Sequence, residues 1–394
     1  MSGAGPAAPP KVSPLYDPRW RSAVYQIVLC LVIVWLTYSA VTNAAENLAK
    51  ARIASGFDFW NRTAGFDISQ TLIPYTTTST YGRAFWVGLL NTLLVSILGI
   101  ICATAIGFTI GVLQLSKNVL VAKLARGYVE VVRNLPLLLQ LLFWYNAVLK
   151  ALPSFRDSVS IPGGALLNNR GLFLPKPVFG LGFEAVPIAF AIGIVGAFLY
   201  RRWAQRRQMQ TGQQAPVLWV SLALILGLPL AALVVTGFPV TFDFPEMGRF
   251  NIRGGLEILP EFAALLFGLS IYTAAFIAEA VRAGIQAVSH GQTEAAYSLG
   301  LRPGPTLRLI VIPQAMRVIV PPLTNQYLNL TKNSSLAVAV GYPDLVQVFA
   351  GTVLNQTGQA VEVVAITMAV YLTISLVTSG LMNLYNRRIA LVER

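Results

Sequence analysis

The sequence predicts an all-α, polytopic membrane protein with about eight transmembrane helices. Two observations carry that expectation. Only 11% of the residues are charged, against about 25% in a soluble domain, while 55% are hydrophobic and the mean hydropathy is +0.63. Several stretches also run uncharged for the roughly 20 residues that a helix needs to cross a hydrocarbon core. They are apolar on all sides, whereas barrel strands alternate in polarity over about ten residues.

Residues 1–22 are a Gly-, Ala- and Pro-rich amino terminus, expected to be disordered and cytoplasmic. Residues 23–83 hold a first helix, Ala23 to Val41, and a polar segment from Glu46 to Arg83 expected outside the membrane. That helix follows Lys11, Arg19 and Arg21, but it exceeds the roughly 7–15-residue apolar core of a cleaved signal and is read as retained. Residues 84–152 supply two crossings, Ala84 to Ser116 and Asn134 to Leu149. Residues 153–255 begin with a Pro- and Gly-dotted stretch, SIPGGALLNNRGLFLPKPVFGLGF, read as an external loop. A helical hairpin follows, formed by Ala185 to Tyr200, the basic run RRWAQRR, and Ala215 to Val235 within an uncharged run to Thr241; it reads as an insertion. Residues 256–394 hold Phe262 to Ala278, a less apolar crossing from Ile312 to Thr331 containing Pro321 and Pro322, and Val363 to Asn386. Cys30 and Cys102 both fall inside predicted helices, so no disulfide framework is expected.

Basic residues set the expected orientation. With a cytoplasmic amino terminus, 18 of the 29 Lys and Arg residues fall on the cytoplasmic side, and eight crossings return the carboxyl terminus to it. The net charge of +13 needs no nucleic acid, because basic loops beside anionic lipid account for it.

One cytoplasmic loop is unusual for its chemistry. In EAAYSLGLRPGPTLRLIVIP, from Glu294 to Pro313, good helix formers precede Gly300, which suits a left-handed cap, and Pro303 and Pro305 block continuation. Ser289 and Gln292 have capping-box spacing, so a helix of about three turns is expected to start near His290. Ala295 and Ala296 allow a partner close to the backbone, and Glu294 offers a charge; a plain connector lying on the bilayer is the other reading.

The spacing of Glu294, Ala295, Ala296, Gly300, Ile310 and Pro313 resembles the EAA loop of ABC-importer permeases. Ile312 stands where Leu is frequent. The segments from Thr273 to Gln292 (with Phe276 where Tyr is frequent), Tyr128 to Asn146 and Thr331 to Leu345 are similar to further segments of polar amino acid permeases, in the expected order. The resemblance covers about Ala84 to Leu149 and Leu256 to Arg388. It implies a type I importer permease fold, with residues 289–313 as the ATPase-coupling loop, in the inner membrane of a bacterial cell. It also implies a second permease subunit, an ABC ATPase dimer and a periplasmic amino-acid-binding protein as partners. The chain carries no G-x-x-x-x-G-K-[ST] phosphate loop, so ATP and Mg are expected on the separate ATPase, with no cofactor here.

A zwitterionic amino acid needs donors for its carboxylate and acceptors for its ammonium group along its path. Asn325, Asn329, Lys332 and Asn333 recur near helical spacing, with Gln326 and Thr331 beside them; the alternative is a helix end with Lys332 reaching the outer interface. Arg133, Asn134 and Pro136 read as the opening of the second core helix. Gln140 either faces the path or bonds between helices. Glu279 and Arg282, three apart, read as a structural or gating ion pair in preference to a substrate ligand. The single histidine, His290, lacks a partner for an H-E-x-x-H site, and no catalytic or metal site is expected. The competing readings are an ion-coupled secondary transporter, which calls for paired broken helices, and a scaffold that recruits a partner without transporting anything.

Overall fold

A computed structural model of the chain describes residues 18–50 and 55–389. Of the terminus expected to be disordered, residues 1–17 lie outside these, and 18–22 form the first turn of helix α1 (Pro18–Lys50), where Pro18 suits the first helical position. The described chain divides into two units. One comprises the chain up to Leu90 with Leu345–Ile374; the other comprises Asn91–Asp344 with the residues from Ser375 on.

In the first unit, no side chain of the span Trp20–Asn43 in α1 is buried within the chain. The following polar segment folds around a 3₁₀ turn, Asp58–Asn61, and a bridge from Thr63 to Thr80. Phe59 is fully buried among Trp60, Tyr81 and Phe349, with ring centroids 6.1 to 6.4 Å away. Tyr81 opens α2 (Tyr81–Leu113) and donates its hydroxyl to Gln356 Oε1 at 3.0 Å; the Gly56 amide donates to Glu362 Oε1.

The second unit is organised around α8 (Pro260–Gln286), fourteen of whose residues are buried. Against it pack α3 (Val119–Asn134), α4 (Leu137–Leu142, extended as a π-helix to Leu149) and α11 (Ile312–Asn333). Lipid offers no hydrophobic driving force between helices, so close van der Waals contact must hold them. Glycine supplies it. A Cβ on Gly107 of α2 would lie 2.6 Å from Ile277 Cβ, and one on Gly111 would lie 2.8 Å from the Ala278 carbonyl. On the other side, Gly284 of α8 meets Ile319 of α11. Tyr128 adds a hydrogen bond from α3 to the Ile271 carbonyl at 2.6 Å. Thr104 and Tyr327 join α2 to α11 at 2.9 Å.

Seven described helices are long and apolar enough to cross a membrane, one fewer than the sequence suggests. The eighth, Leu137–Leu149, has 13 residues and rises about 20 Å, short of a hydrocarbon core of about 30 Å. The cause is Pro136. It forces Leu135 into extended backbone (φ −97°, ψ 132°), so Arg133 and Asn134 close α3 instead of opening the next helix. Pro321 and Pro322 sit inside α11 without ending it, and helical backbone runs from Pro303 to Ala339.

The fold is mostly helical, and among the described residues short strands lie on both sides of the hairpin, four in the stretch read as an external loop and four after the hairpin. β1 (Val159–Ile161), β2 (Ala165–Asn168), β3 (Gly171–Leu174), β4 (Lys176–Phe179), β5 (Val240–Asp243), β6 (Glu246–Met247), β7 (Ile252–Arg253) and β8 (Leu256–Ile258) form one four-stranded antiparallel sheet, β1-β2-β3-β8, and two ribbons, β4-β5 and β6-β7. The strands have at most four residues, too few for alternation to show in sequence. Between β4 and β5 rises the helical hairpin of α5 (Ala185–Thr211) and the descending pair α6 (Val217–Leu222) and α7 (Leu228–Val235), joined by a π-turn.

Gly107→Val is expected to cost about 1–3 kcal/mol by overpacking, since its neighbours are a β-branched side chain and backbone. Thermal unfolding in detergent checks this: a Tm several degrees below wild type is expected, and an unchanged Tm contradicts the close α2–α8 contact.

Candidate functional site: the coupling loop and the helices it joins

Helix α9 (His290–Ser298) starts at the residue the sequence indicates and makes two and a half turns. Its cap is simpler than a reciprocal box. Ser289 Oγ accepts from the Gly291 amide at 3.3 Å, while Gln292 turns away and its Oε1 accepts from Gln314 Nε2 of α11 at 3.2 Å. The Gln292 side chain therefore ties α9 to the start of the next crossing.

The far end is a Schellman cap. Gly300 adopts φ +76°, its amide donates to the Tyr297 carbonyl at 2.9 Å, and the Leu301 amide donates to the Ala296 carbonyl at 3.1 Å. Arg302 is extended and Pro303 takes the first position of α10 (Pro303–Thr306). The chain then passes through a π-turn, Leu307–Val311, straight into α11. The two prolines expected to stop a helix thus start one, because Pro lacks only an amide hydrogen that has no partner there anyway.

The two alanines of the motif differ in use. Ala295 is exposed beside exposed Glu294, whereas Ala296 is 1% exposed, on a helix that packs against α10 and the π-turn. Ile310 is half-buried in the π-turn and Pro313 is exposed at the start of α11. Sequence reasoning missed Tyr297 and Leu299, 52% and 82% exposed, three and five residues after Glu294. Large side chains beside a small-residue motif were the available signal. His290 lines a cleft of about 280 Å³ between α9, Leu115 beyond the end of α2, and Ile285 of α8.

The ion pair forms on α8. Arg282 Nε donates to Glu279 Oε2 at 3.0 Å, and a second guanidinium nitrogen donates to Gln286 Oε1 at 2.7 Å. Arg133 lies over the Phe276 ring of the same helix at 5.2 Å. Asn134 donates to the Glu130 carbonyl of its own helix at 2.8 Å. Gln140 is buried, and its amide donates to the carbonyls of Val132 and Leu135 at 2.9 and 3.0 Å. It thereby satisfies the backbone that Pro136 leaves open at the end of α3. On α11, Asn325, Asn329 and Lys332 share one exposed face, with Gln326 and Asn333 half-buried beside it.

Helix α9 lies between two long apolar crossings, α8 and α11, and the chain that carries them has relatives. Residues 185–391 match the family model described as binding-protein-dependent transport system inner membrane component. The chain belongs to that permease family. The matched stretch includes the hairpin set apart above as an insertion. The permease is 54% identical over 382 residues to the general L-amino acid transport system permease protein AapQ of Rhizobium johnstonii, covering 97% of this chain and 95% of that one. It is 53% identical over 378 residues to the putative amino-acid ABC transporter permease protein YhdX of Escherichia coli, covering 96% of each. It is 45% identical over 416 residues to the glutamate/glutamine/aspartate/asparagine transport system permease protein BztB of Rhodobacter capsulatus, again covering 96% of each. None of these relatives is named as an ion-coupled transporter. The permease is a multi-pass inner-membrane component and not an enzyme; the family implies an ATPase and a substrate-binding protein as its partners.

A side chain at Gly300 must adopt left-handed backbone, at a cost of roughly 1–2 kcal/mol. Gly300→Val is expected to speed amide hydrogen exchange across 294–301, whereas Gly300→Asn keeps most of the protection. Equal exchange in both variants contradicts the cap.

Proposed function

We propose that this permease carries polar L-amino acids inward across the inner membrane, driven by a separate ATPase through the loop 289–313. The observation that carries the reading is near full-length similarity, at 45–54% identity, to three permeases whose names specify amino acids. ATP and Mg bind on the ATPase dimer, a periplasmic binding protein delivers the substrate, and a second permease subunit completes the path. Both termini are cytoplasmic, with the short Leu137–Leu149 helix as an eighth crossing where the bilayer thins locally to meet it; the cytoplasmic excess of Lys and Arg supports this arrangement.

In this reading Glu294, Ala295 and Gly300, with Ala296, Ile310 and Pro313 behind them, seat α9 in the ATPase. Closure of the ATPase dimer pulls α9, and the cap, the Gln292–Gln314 bond and the continuous backbone into α11 pass that displacement to the membrane helices. Asn325, Asn329 and Lys332 offer the substrate polar groups, with Gln326, Asn333, Arg133 and Asn134 nearby in role. Gln140, committed to α3, shapes the path instead of lining it, and Glu279–Arg282 gates its cytoplasmic end.

The test is uptake of labelled amino acids into proteoliposomes containing the whole transporter, with ATPase or binding protein omitted in turn. Uptake is expected to require both, and Glu294→Lys is expected to lower it more than tenfold while leaving membrane insertion intact. Uptake by the permease alone, driven by an ion gradient, overturns the reading.

A further inference from the structure

The helical hairpin differs from the rest of the chain in its charge pattern. Between Glu184 and Asp243 there is no acidic residue, and the only basic ones are Arg201, Arg202, Arg206 and Arg207. The hairpin is lopsided: α5 has 27 residues, while the descending span Val217–Val235 has 19, or about 28 Å. The descending span thus matches the hydrocarbon thickness of about 30 Å, and the last turns of α5, with all four arginines, project past its end. Gly212, at φ +70°, caps that projection. The opposite end of the hairpin carries Phe179, Phe238 and Phe242, all more than half exposed.

The helix divides into two faces. Gly193, Ala197 and Ala204 are buried on one side; a Cβ on Gly193 would meet the Leu224 backbone of the descending segment. On the other side Ile188, Val195 and Leu199 are exposed, and the same stripe continues at helical spacing into Arg202 and Arg206. Two guanidinium groups are held by rings of the same helix: Arg202 lies 4.4 Å from the Phe198 centroid and Arg207 lies 5.3 Å from Trp203.

We propose that Arg202 and Arg206, backed by Arg201 and Arg207, bind the phosphate of an anionic phospholipid whose acyl chains lie along Ile188, Val195 and Leu199. A guanidinium fork matches phosphate oxygens in pairs, and its apolar stem can follow the acyl chains while the charge reaches the headgroup. Neither half of the site suffices alone. The stripe supplies contact for any lipid, and the arginines select a negatively charged one. The hairpin thus acts as a lipid-specific anchor beside the transport core.

The test is native mass spectrometry of the purified transporter complex titrated with phosphatidylglycerol or phosphatidylcholine. Wild type is expected to retain phosphatidylglycerol preferentially. Each basic residue near a membrane surface contributes about a fivefold factor, so R202Q/R206Q is expected to weaken that retention about 25-fold. R202K/R206K, which keeps the charges but loses the paired fork, is expected to fall between wild type and the Gln variant, and K176Q/R249Q, which removes two charges outside the hairpin, leaves it at the wild-type level. If the double Gln variant does not assemble, R202Q and R206Q singly are expected to show about fivefold each. Equal retention of the two lipids, unchanged retention in the Gln variants, or displacement by soluble glycerol phosphate overturns the proposal; the last identifies a free-anion site. Retention of an acidic protein in place of lipid also overturns it.

Discussion

Close approach of α8 to its neighbours is the constraint on which the second unit depends. In lipid, an apolar helix surface gains little by leaving one apolar environment for another, so shape must supply what water exclusion supplies in a soluble core. Gly107 and Gly111 let α2 settle onto Ile277 and Val281, and Gly284 lets α8 settle onto Ile319. The polar ties from Tyr128 and Tyr327 have consequences only at that spacing, since a hydrogen bond lost to an ångström of separation would leave a group unsatisfied where water is scarce.

The loop 289–313 is anchored to that seam. It is the connection between α8 and α11, the two helices packed most extensively on one another, so both of its ends are fixed. Within it, few groups remain free to yield. The Ser289 cap holds one end of α9 and the Gly300 cap the other, Ala296 plugs the underside, and Gln292 reaches across to Gln314. Glu294, Ala295, Tyr297 and Leu299 are among the residues that face outward. A force applied there acts on a short helix, capped at both ends, that Gln292 ties to Gln314 of α11.

Much of this was legible before any coordinates. The uncharged runs became helices, His290 begins the coupling helix, and Gly300 takes the left-handed conformation that its place after a helical run implies. Three things were hidden, each for a physical reason. The external strands are two to four residues long, below the length at which periodicity can declare itself. The break at Pro136 turns on one residue, which moved Arg133 and Asn134 from the start of one helix to the end of another and gave Gln140 a capping duty. Whether Ala295 or Ala296 faces outward depends on how α9 docks, a tertiary fact that two adjacent identical residues cannot reveal.

The central claim is that α9 and α11 move as one body when the ATPase closes. Spin labels at Ser298 on α9 and Val318 on α11, both exposed, report this directly by pulsed dipolar distance measurement in the reconstituted transporter. A narrow distance within the chain that stays the same with and without ATP, while the separation between coupling helices of the two permease subunits shortens, is the predicted result. An intrachain distance that shifts or broadens on nucleotide binding would show a loop that yields instead of transmitting, and would contradict the account.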